Sequence, residues 1–176
     1  MANDLAARLR ARIRDIPDFP QPGITFRDIT PMLADPEMLA AVVDALVEAF
    51  PGPIDKVLGI EARGFILAAP VAYRAGAGFV PVRKAGKLPH DVEQVEYELE
   101  YGTDSLEIHR DAVTPGERVL IVDDVIATGG TAAASARLVE RLGGTVVGLG
   151  FAIELGPLDG RAKLVDYDVH ALLTYE

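Results

Sequence analysis

The sequence of 176 residues contains no cysteine, and it has no apolar run long enough to cross a bilayer. Without cysteine there is neither a disulfide nor a thiolate zinc site. The polar start, residues 1–4, is not followed by the apolar block of a signal peptide. These absences predict a cytoplasmic protein without a membrane partner.

Basic residues are scarce, since 17 lysines and arginines stand against 27 aspartates and glutamates, for a net charge of −10. General nucleic-acid binding depends on basic contacts to phosphates, so we expect no nucleic-acid partner. The exception is a cluster of cations at Arg83, Lys84 and Lys87. Taken alone, this cluster is more typical of solvated surface charge than of a site for a small anion.

The most informative segment covers residues 119–131. Its four apolar residues, 119–122, predict a strand buried on both faces, as in a parallel sheet. The carboxylates of Asp123 and Asp124 follow. The turn into the next helix ends with Ala127, Thr128, Gly129, Gly130 and Thr131. Amide groups at a helix N-terminus attract phosphate, and glycine lets the backbone approach closely. The alternative is a buried strand whose acids cap the next helix.

This segment resembles the phosphoribosyl-pyrophosphate (PRPP) motif of the type I phosphoribosyltransferases, and it matches neither a P-loop nor a dinucleotide fingerprint. The resemblance implies that residues 127–131 bind the 5′-phosphate of PRPP. It also implies that Asp123 and Asp124 hold the ribose 2′- and 3′-hydroxyls. In this family Mg²⁺ is carried largely by diphosphate and ribose oxygens. We therefore expect Mg²⁺ as a cofactor, with few or no direct protein ligands.

A second junction of the same kind lies at residues 56–75, where a predicted core strand runs through Glu61-Ala62-Arg63-Gly64 into a helix. In the resembled family this turn receives diphosphate and often holds a strained peptide bond just before the arginine. By resemblance, Arg63 stabilises the leaving diphosphate, and Arg83 and Lys87 are further candidates, one of them reaching across a subunit interface. Ala62 stands where the family commonly has serine. Without the resemblance, a helix start with a surface arginine is equally favoured.

The segment 19–31 reads Phe-Pro-x-Pro-Gly-Ile-x-Phe-Arg-Asp-Ile-Thr-Pro. It closely resembles the N-terminal hood of the adenine branch of the family. By resemblance, the ring of Phe26 stacks on the purine, and the main chains of Thr25 and Arg27 read the edge of adenine. Taken alone, Phe26 is more typical of a core residue. The same resemblance places Leu155 near the base pocket, although an ordinary strand end is at least as well favoured.

Strict alternation of apolar and acidic residues at positions 95–101 predicts a strand, and Gly102 to Asp104 turns the chain into a hairpin. Acids on one face are usually just solvated. In the resembled family, Leu-Glu-Tyr-Gly belongs to a mobile loop that closes over the reacting centre. The resemblance implies that Glu100 transfers a proton, with Tyr101 beside it, while the closed loop excludes water.

Strands that alternate with helices predict an α/β fold with a mainly parallel central sheet flanked by helices. Ligands bind beyond the carboxyl ends of such strands, so the turns at 61–64 and 123–131 are expected to converge. The resemblance implies one phosphoribosyltransferase domain over residues 1–176. It comprises a small hood at about 1–35 and a core at about 36–176, with a flexible hairpin loop at about 87–108.

Two local patterns give finer expectations. Leu5, Leu9, Ile13 and Ile16 are spaced as one apolar stripe, which predicts a helix that Pro17 ends. Pro81 interrupts an otherwise strand-like run and predicts an edge position or irregular pairing.

The implied reaction is purine salvage, in which adenine and PRPP give AMP and diphosphate. A homodimer is expected, because the family is usually dimeric. Three alternatives remain at this point. One is a related transferase for hypoxanthine, guanine, xanthine or orotate. The second is a purine- or PRPP-sensing binding protein without catalysis, and the third is a subunit like PRPP synthase. The hood disfavours the first, and the sequence has neither a DNA-reading segment nor visible ATP-site elements for the others.

Overall fold

The structure, a computed structural model, describes residues 2–98 and 102–176. Its helices are α1 (Ala2–Arg10), α2 (Thr30–Ala34), α3 (Pro36–Glu48), α4 (Arg63–Ala75) and α5 (Gly130–Arg141). Its strands are β1 (Arg14–Ile16), β2 (Phe26–Asp28), β3 (Lys56–Ile60), β4 (Gly78–Lys84), β5 (Val92–Glu98), β6 (Thr103–His109), β7 (Arg118–Ile126), β8 (Thr145–Leu155) and β9 (Val169–Tyr175). Two short 3₁₀ helices, Gly156–Leu158 and Gly160–Lys163, join β8 to β9.

Seven strands form one sheet in the order β5-β6-β4-β3-β7-β8-β9. The five strands from β4 to β9 in this order run parallel, whereas β5 and β6 form an antiparallel hairpin at one end. β1 and β2 form a separate antiparallel pair. The predicted α/β class with a mainly parallel sheet and a hairpin is therefore confirmed.

The central strands are buried on both faces, as their apolar runs predicted. Leu58 and Ile121 belong to the hydrophobic core that includes α5. Their neighbours Val57 and Leu120 belong to the other core, which α1, α3 and α4 cover. Because β3 and β7 are adjacent and parallel, their carboxyl ends and the turns that follow them lie side by side.

The predicted helix through Ile16 is wrong in its second half. α1 ends at Arg10, and residues 14–16 instead pair with β2, where Ile16 lies opposite Phe26. Strand pairing with residues 26–28 therefore outweighed the local helical spacing, because the short hood strand needs a partner for its backbone hydrogen bonds.

Pro81 was predicted to mark an edge or irregular pairing, and the pairing is irregular. β4 lies inside the sheet, but β6 pairs with it only at Arg83 and Lys84. Pro81 therefore has a partner on β3 alone, so its missing N–H breaks no ladder with β6. Within the described ranges, no helix combines the length and the apolar character that a membrane crossing needs.

Candidate active site

A cavity of about 280 Å³ lies where β3 and β7 end side by side. It is lined by Ile60, Glu61, Ala62, Arg63, Asp123, Asp124, Val125, Ile126, Ala127, Thr128, Gly129, Thr131, Ala132 and Phe151. The structure thus brings together both turns that the sequence analysis selected, although 61 residues separate Arg63 from Asp124. The cause is the parallel register, in which Gly59 of β3 lies opposite Val122 of β7.

The turn at residues 127–131, called here the phosphate loop, is built from backbone. Gly129 has a φ of 74° and occupies the cap position of α5, a left-handed conformation that favours glycine. No side chain at this position competes for the first amide groups of the helix. Thr128 is exposed and Thr131 is half-buried, and both line the cavity, whereas Gly130 is buried just outside its lining.

A glycine that the sequence analysis did not select packs against this loop. A Cβ added to Gly129 would collide with the carbonyl oxygen of Gly160 and lie 3.0 Å from the carbonyl carbon of that residue. The contact is between two main chains, so neither position accepts a side chain without movement. Asp159-Gly160 had only the pattern of a turn, and nothing in the sequence connected it with residues 127–131.

The two aspartates of β7 have different partners. The Nε of Arg63 donates to Asp124 Oδ2 over 2.5 Å, and the Asp124 side chain is only 7% exposed. Asp123 Oδ1 accepts the main-chain N–H of Asp124 at 2.8 Å. Burial, the larger cause, and the negative charge of Asp124, the second cause, raise the pKa of Asp123 well above its usual range. One carboxylate is therefore matched with a cation, while ionisation of the other is penalised.

Gly64 explains how α4 comes so close to β7. A Cβ at this position would lie 2.6 Å from Asp123 Oδ1 and 3.2 Å from the carbonyl oxygen of Val122. Only the absence of a side chain lets the first turn of α4 pack beside this carboxylate. This glycine belongs to a turn that was predicted to bind an anion, but its contact with Asp123 depends on the packing of two elements.

Glu61 gathers the basic residues that the sequence analysis assigned to diphosphate. Its carboxylate accepts from Arg83 Nε at 2.8 Å and from Lys87 Nζ at 2.6 Å, and its side chain is 7% exposed. Burial by itself raises the pKa of Glu61, but the hydrogen bonds from Lys87 and Arg83 outweigh it and lower that pKa overall. Glu61 thus links the cavity to two cations that do not line it. No pattern in the sequence indicates this link.

The unusual peptide bond expected just before Arg63 lies one residue earlier. The bond between Glu61 and Ala62 is cis, and the only other cis bond among the described residues is Phe19–Pro20.

The hood residues lie beside the cavity and do not line it. The ring of Phe26 is 5.3 Å from that of Phe19 and 5.2 Å from the guanidinium carbon of Arg63. Arg27 lies over the ring of Tyr175 at 4.0 Å. Phe26 thus joins the hood to one catalytic candidate, Arg63, and the role of its ring as a stacking surface stays a prediction.

Three further assignments have less support from geometry. Thr25 is exposed, and Leu155 is half-buried and paired with Tyr175; neither lines the cavity. Glu100 and Tyr101 lie outside the described residues. Across the ranges that the structure describes, no group of three or more histidine, aspartate or glutamate side chains is placed to hold a metal ion.

The fold and this site define the class of protein. The family model of the phosphoribosyl transferase domain matches residues 32–171, which include both turns of the cavity. This agrees with the chemistry of the site, in which a backbone phosphate loop, two aspartates and an arginine converge at the ends of two parallel strands.

The chain belongs to the adenine phosphoribosyltransferase family. It is 58% identical over 171 residues to the adenine phosphoribosyltransferase of Acidothermus cellulolyticus, covering 97% of each chain. Its structure is similar to the crystal structure of the Rhodothermus marinus enzyme, with a TM-score of 0.94, 55% identity and coverage of 98% of this chain and 99% of that one. The Saccharomyces cerevisiae enzyme, in complex with adenine and an imino-altritol bisphosphate, gives a TM-score of 0.92 at 44% identity, with coverage of 97% and 99%.

Proposed function

We propose that this protein transfers the 5-phosphoribosyl group of PRPP to adenine, giving AMP and diphosphate in purine salvage. The observation that carries the proposal is the single cavity shared by Arg63, the two aspartates and the phosphate loop. A site for PRPP needs groups for a terminal phosphate, for ribose hydroxyls and for diphosphate, and these are the chemical types present. The names of the relatives support adenine as the base.

In the proposed reaction, residues 127–131 hold the 5′-phosphate with amide groups and the threonine hydroxyls. Asp123 and Asp124 accept hydrogen bonds from the ribose hydroxyls. The bond from the anomeric carbon to diphosphate breaks as a nitrogen of adenine forms its bond to that carbon. Positive charge grows on the sugar, where the carboxylates stabilise it, and Arg63, Arg83 and Lys87 stabilise the departing diphosphate.

Mg²⁺ belongs to the proposal as a cofactor that enters with PRPP. The aspartates at the cavity suit it chemically, because Mg²⁺ prefers oxygen ligands and keeps several waters. Asp124 and Glu61 already bind cationic side chains, which favours coordination mainly by the oxygens of PRPP. When bound, the ion neutralises charge on the diphosphate.

The base side of the proposal consists of Phe26, the main chains of Thr25 and Arg27, and Leu155. The attacking nitrogen of adenine loses its proton as AMP forms, and Glu100 is the proposed acceptor of that proton, with Tyr101 beside it. We expect Glu100→Gln to slow AMP formation modestly without changing the affinity for PRPP. An unchanged rate would make this glutamate a bystander.

We further propose a homodimer formed through α4 and β4. Ile66 and Tyr73, seven residues apart on α4, are 47% and 89% exposed, and Phe79 on β4 is 39% exposed. Exposed apolar side chains in one area are typical of an interaction surface. Arg83 follows Phe79 on β4, so a partner at this surface would lie near the diphosphate side. Sedimentation of Tyr73→Glu should show a shift toward monomer; an unchanged dimer would exclude this surface.

The domain and location assignments also stay predictions. We propose that residues 1–176 act as one domain, which is supported by the contacts of Tyr175 near the chain end with Arg10 and Arg27. Limited proteolysis tests this, since one domain should resist cleavage between hood and core. A cytoplasmic location is tested by cell fractionation.

The test of the function is AMP formation from adenine and PRPP, followed with and without Mg²⁺. Hypoxanthine, guanine and xanthine in the same assay serve as competing bases. We expect turnover with adenine that depends on Mg²⁺. Turnover with oxopurines alone would overturn the base assignment, and PRPP binding without turnover of any base would favour a sensor.

A further inference from the structure

A segment distant from the phosphate loop in sequence packs against the main chain of that loop. This bracing segment, residues 156–163, contains the two 3₁₀ helices. A Cβ on its buried Gly160 would collide with the carbonyl oxygen of Ala127, and it would lie 2.8 Å from Ile126 Cγ1 and 3.1 Å from the amide nitrogen of Gly129. A Cβ added to Gly129 would in turn collide with the carbonyl oxygen of Gly160. The two main chains therefore restrict each other's position. A displacement of the segment toward the loop would therefore displace the amides at Gly129.

One ion pair holds the bracing segment to the sheet. Arg161 donates from Nε to Glu154 Oε1 at 2.7 Å and from Nη2 to Oε2 at 2.9 Å. Its Nη1 donates to the carbonyl oxygen of Val169 at 2.7 Å, and the hydroxyl of Thr174 donates to Glu154 at 3.2 Å. The hydrogen bonds from Arg161 lower the pKa of Glu154, which stays ionised. This bidentate pair between Arg161 and Glu154 is called here the fork. Its two parallel hydrogen bonds fix the orientation of the guanidinium group as well as its distance from the carboxylate.

The ion pair lies beside the start of the phosphate loop. Glu154 of β8 pairs with Ile126, the last residue of β7 and the neighbour of Ala127. Arg161 follows Gly160 directly, so the guanidinium that binds Glu154 also fixes the glycine that contacts the loop. All three kinds of nitrogen in the Arg161 side chain are engaged by Glu154 and Val169. The arginine therefore acts on the loop through Gly160.

We propose that Arg161 is a positioning residue for the 5′-phosphate. By fixing Gly160, it holds the amides of the phosphate loop where they meet the phosphate oxygens. The inference rests on the proposed function, and its consequence is specific. Loss of the fork weakens ligands that carry a 5′-phosphate and leaves ligands without one unaffected.

The experiment compares the dissociation constants of AMP and adenosine by calorimetry. Arg161→Lys keeps the positive charge beside Glu154 but removes the paired fork. We expect about tenfold weaker AMP binding, the usual scale for losing a group that orients a ligand, with adenosine unchanged. The KM for PRPP should rise by a similar factor while kcat changes less than about twofold. A purely structural role would weaken both ligands together.

Two further variants and a control complete the test. Gly160→Ala changes no charge and presses directly on Ala127, so it should show the same selective loss of AMP. Thr174→Val removes only one bond to Glu154 and should show a smaller loss in the same direction. The control, Arg118→Lys, alters an arginine that donates to the carbonyl oxygen of Pro53 at the other end of β7, and it should leave both affinities unchanged.

The outcomes separate the two proposals. If the unmodified protein binds AMP no better than adenosine, the phosphate loop assignment in the proposed function fails. If it prefers AMP and the folded variants keep that preference, the role of Arg161 is overturned. Should Arg161→Lys fail to fold, Thr174→Val decides the question by the same ratio, because it changes the ion pair and not the contact of Gly160 with the loop.

Discussion

The two turns that meet in the cavity are held in place by different kinds of interaction. At the β7–α5 turn the structure relies on backbone, with Gly129 in a left-handed conformation against Gly160. At the β3–α4 turn it relies on charged side chains, with Arg63 on Asp124 and with Arg83 and Lys87 on Glu61. The first turn should be sensitive to added volume and insensitive to salt. The second should be sensitive to charge.

The largest effect is expected from added volume at the β7–α5 turn. Gly129→Val would place side-chain atoms against the Gly160 carbonyl group and disfavour the φ of 74°. We expect kcat/KM for PRPP to fall by about 1,000-fold or more, because several hydrogen bonds to a charged phosphate are displaced together. Steady-state kinetics measures this loss.

Gly116→Ala is the matched control for that variant. Gly116 also has a positive φ, 90°, but nothing lies within 4 Å of an added Cβ. It should cost only about 1 kcal/mol of stability and leave the KM for PRPP unchanged. Equal kinetic losses in the two variants would show that general destabilisation, and not collision with Gly160, causes the loss.

The next largest effect is expected where the two turns meet. Asp124→Asn removes the negative charge that pairs with Arg63 and that, in the proposed reaction, faces the charge growing on the ribose. We expect kcat to fall by about 100-fold, with a smaller effect on thermal stability. The measurements are single-turnover kinetics and the melting temperature.

Asp44→Asn provides the comparison for the aspartate. Asp44 accepts from Arg74 Nε at 2.7 Å in an exposed ion pair that also involves α4. Exposed pairs contribute little, so kcat and the melting temperature should hardly change. A normal kcat in Asp124→Asn would remove this carboxylate from the mechanism.

A smaller effect is expected from charge at the β3–α4 turn alone. Lys87→Ala should weaken inhibition by diphosphate about tenfold at low salt, and the loss should shrink as salt screens this exposed cation. Lys56→Ala, whose pair with Glu117 lies at the opposite end of β3, should have no such effect. A loss that is independent of salt would contradict the electrostatic description of this turn.

The smallest effect concerns Asp123, whose pKa is raised in the folded protein. As the pH rises from about 4, the unfolded chain loses this proton before the folded chain does. Ionisation of Asp123 is less favourable in the folded protein than in the unfolded chain, so the unmodified protein loses stability as the pH rises above about 4. Asp123→Asn keeps an acceptor for the Asp124 amide, and its free energy of unfolding relative to the unmodified protein should rise between about pH 4 and pH 7. Denaturant titrations at several pH values measure this difference in unfolding free energy. A difference that does not change with pH would refute the prediction.

Much of the site could be predicted because its parts are local motifs. Asp123, Asp124 and the phosphate loop adjoin one another at the carboxyl end of one strand, and Arg63 follows another strand, so the rule for parallel sheets sufficed to bring them together. Glu61 as the partner of Arg83 and Lys87 could not be predicted, since it depends on where two segments with no common motif come to lie. The prediction of a helix through Ile16 was wrong for a related reason, because residues 26–28 supply the backbone hydrogen bonds of residues 14–16.

The sequence alone determined the α/β class, the parallel central sheet and the two turns proposed to bind anions, because apolar runs, glycines and carboxylates adjoin one another along the chain. Only the tertiary structure decided the pairing of Arg63 with Asp124, the clustering of cations at Glu61 and the contact of Gly160 with Gly129. These depend on the packing of elements that are far apart in sequence. At such contacts a single Cβ or charge decides the geometry, and no local pattern records it.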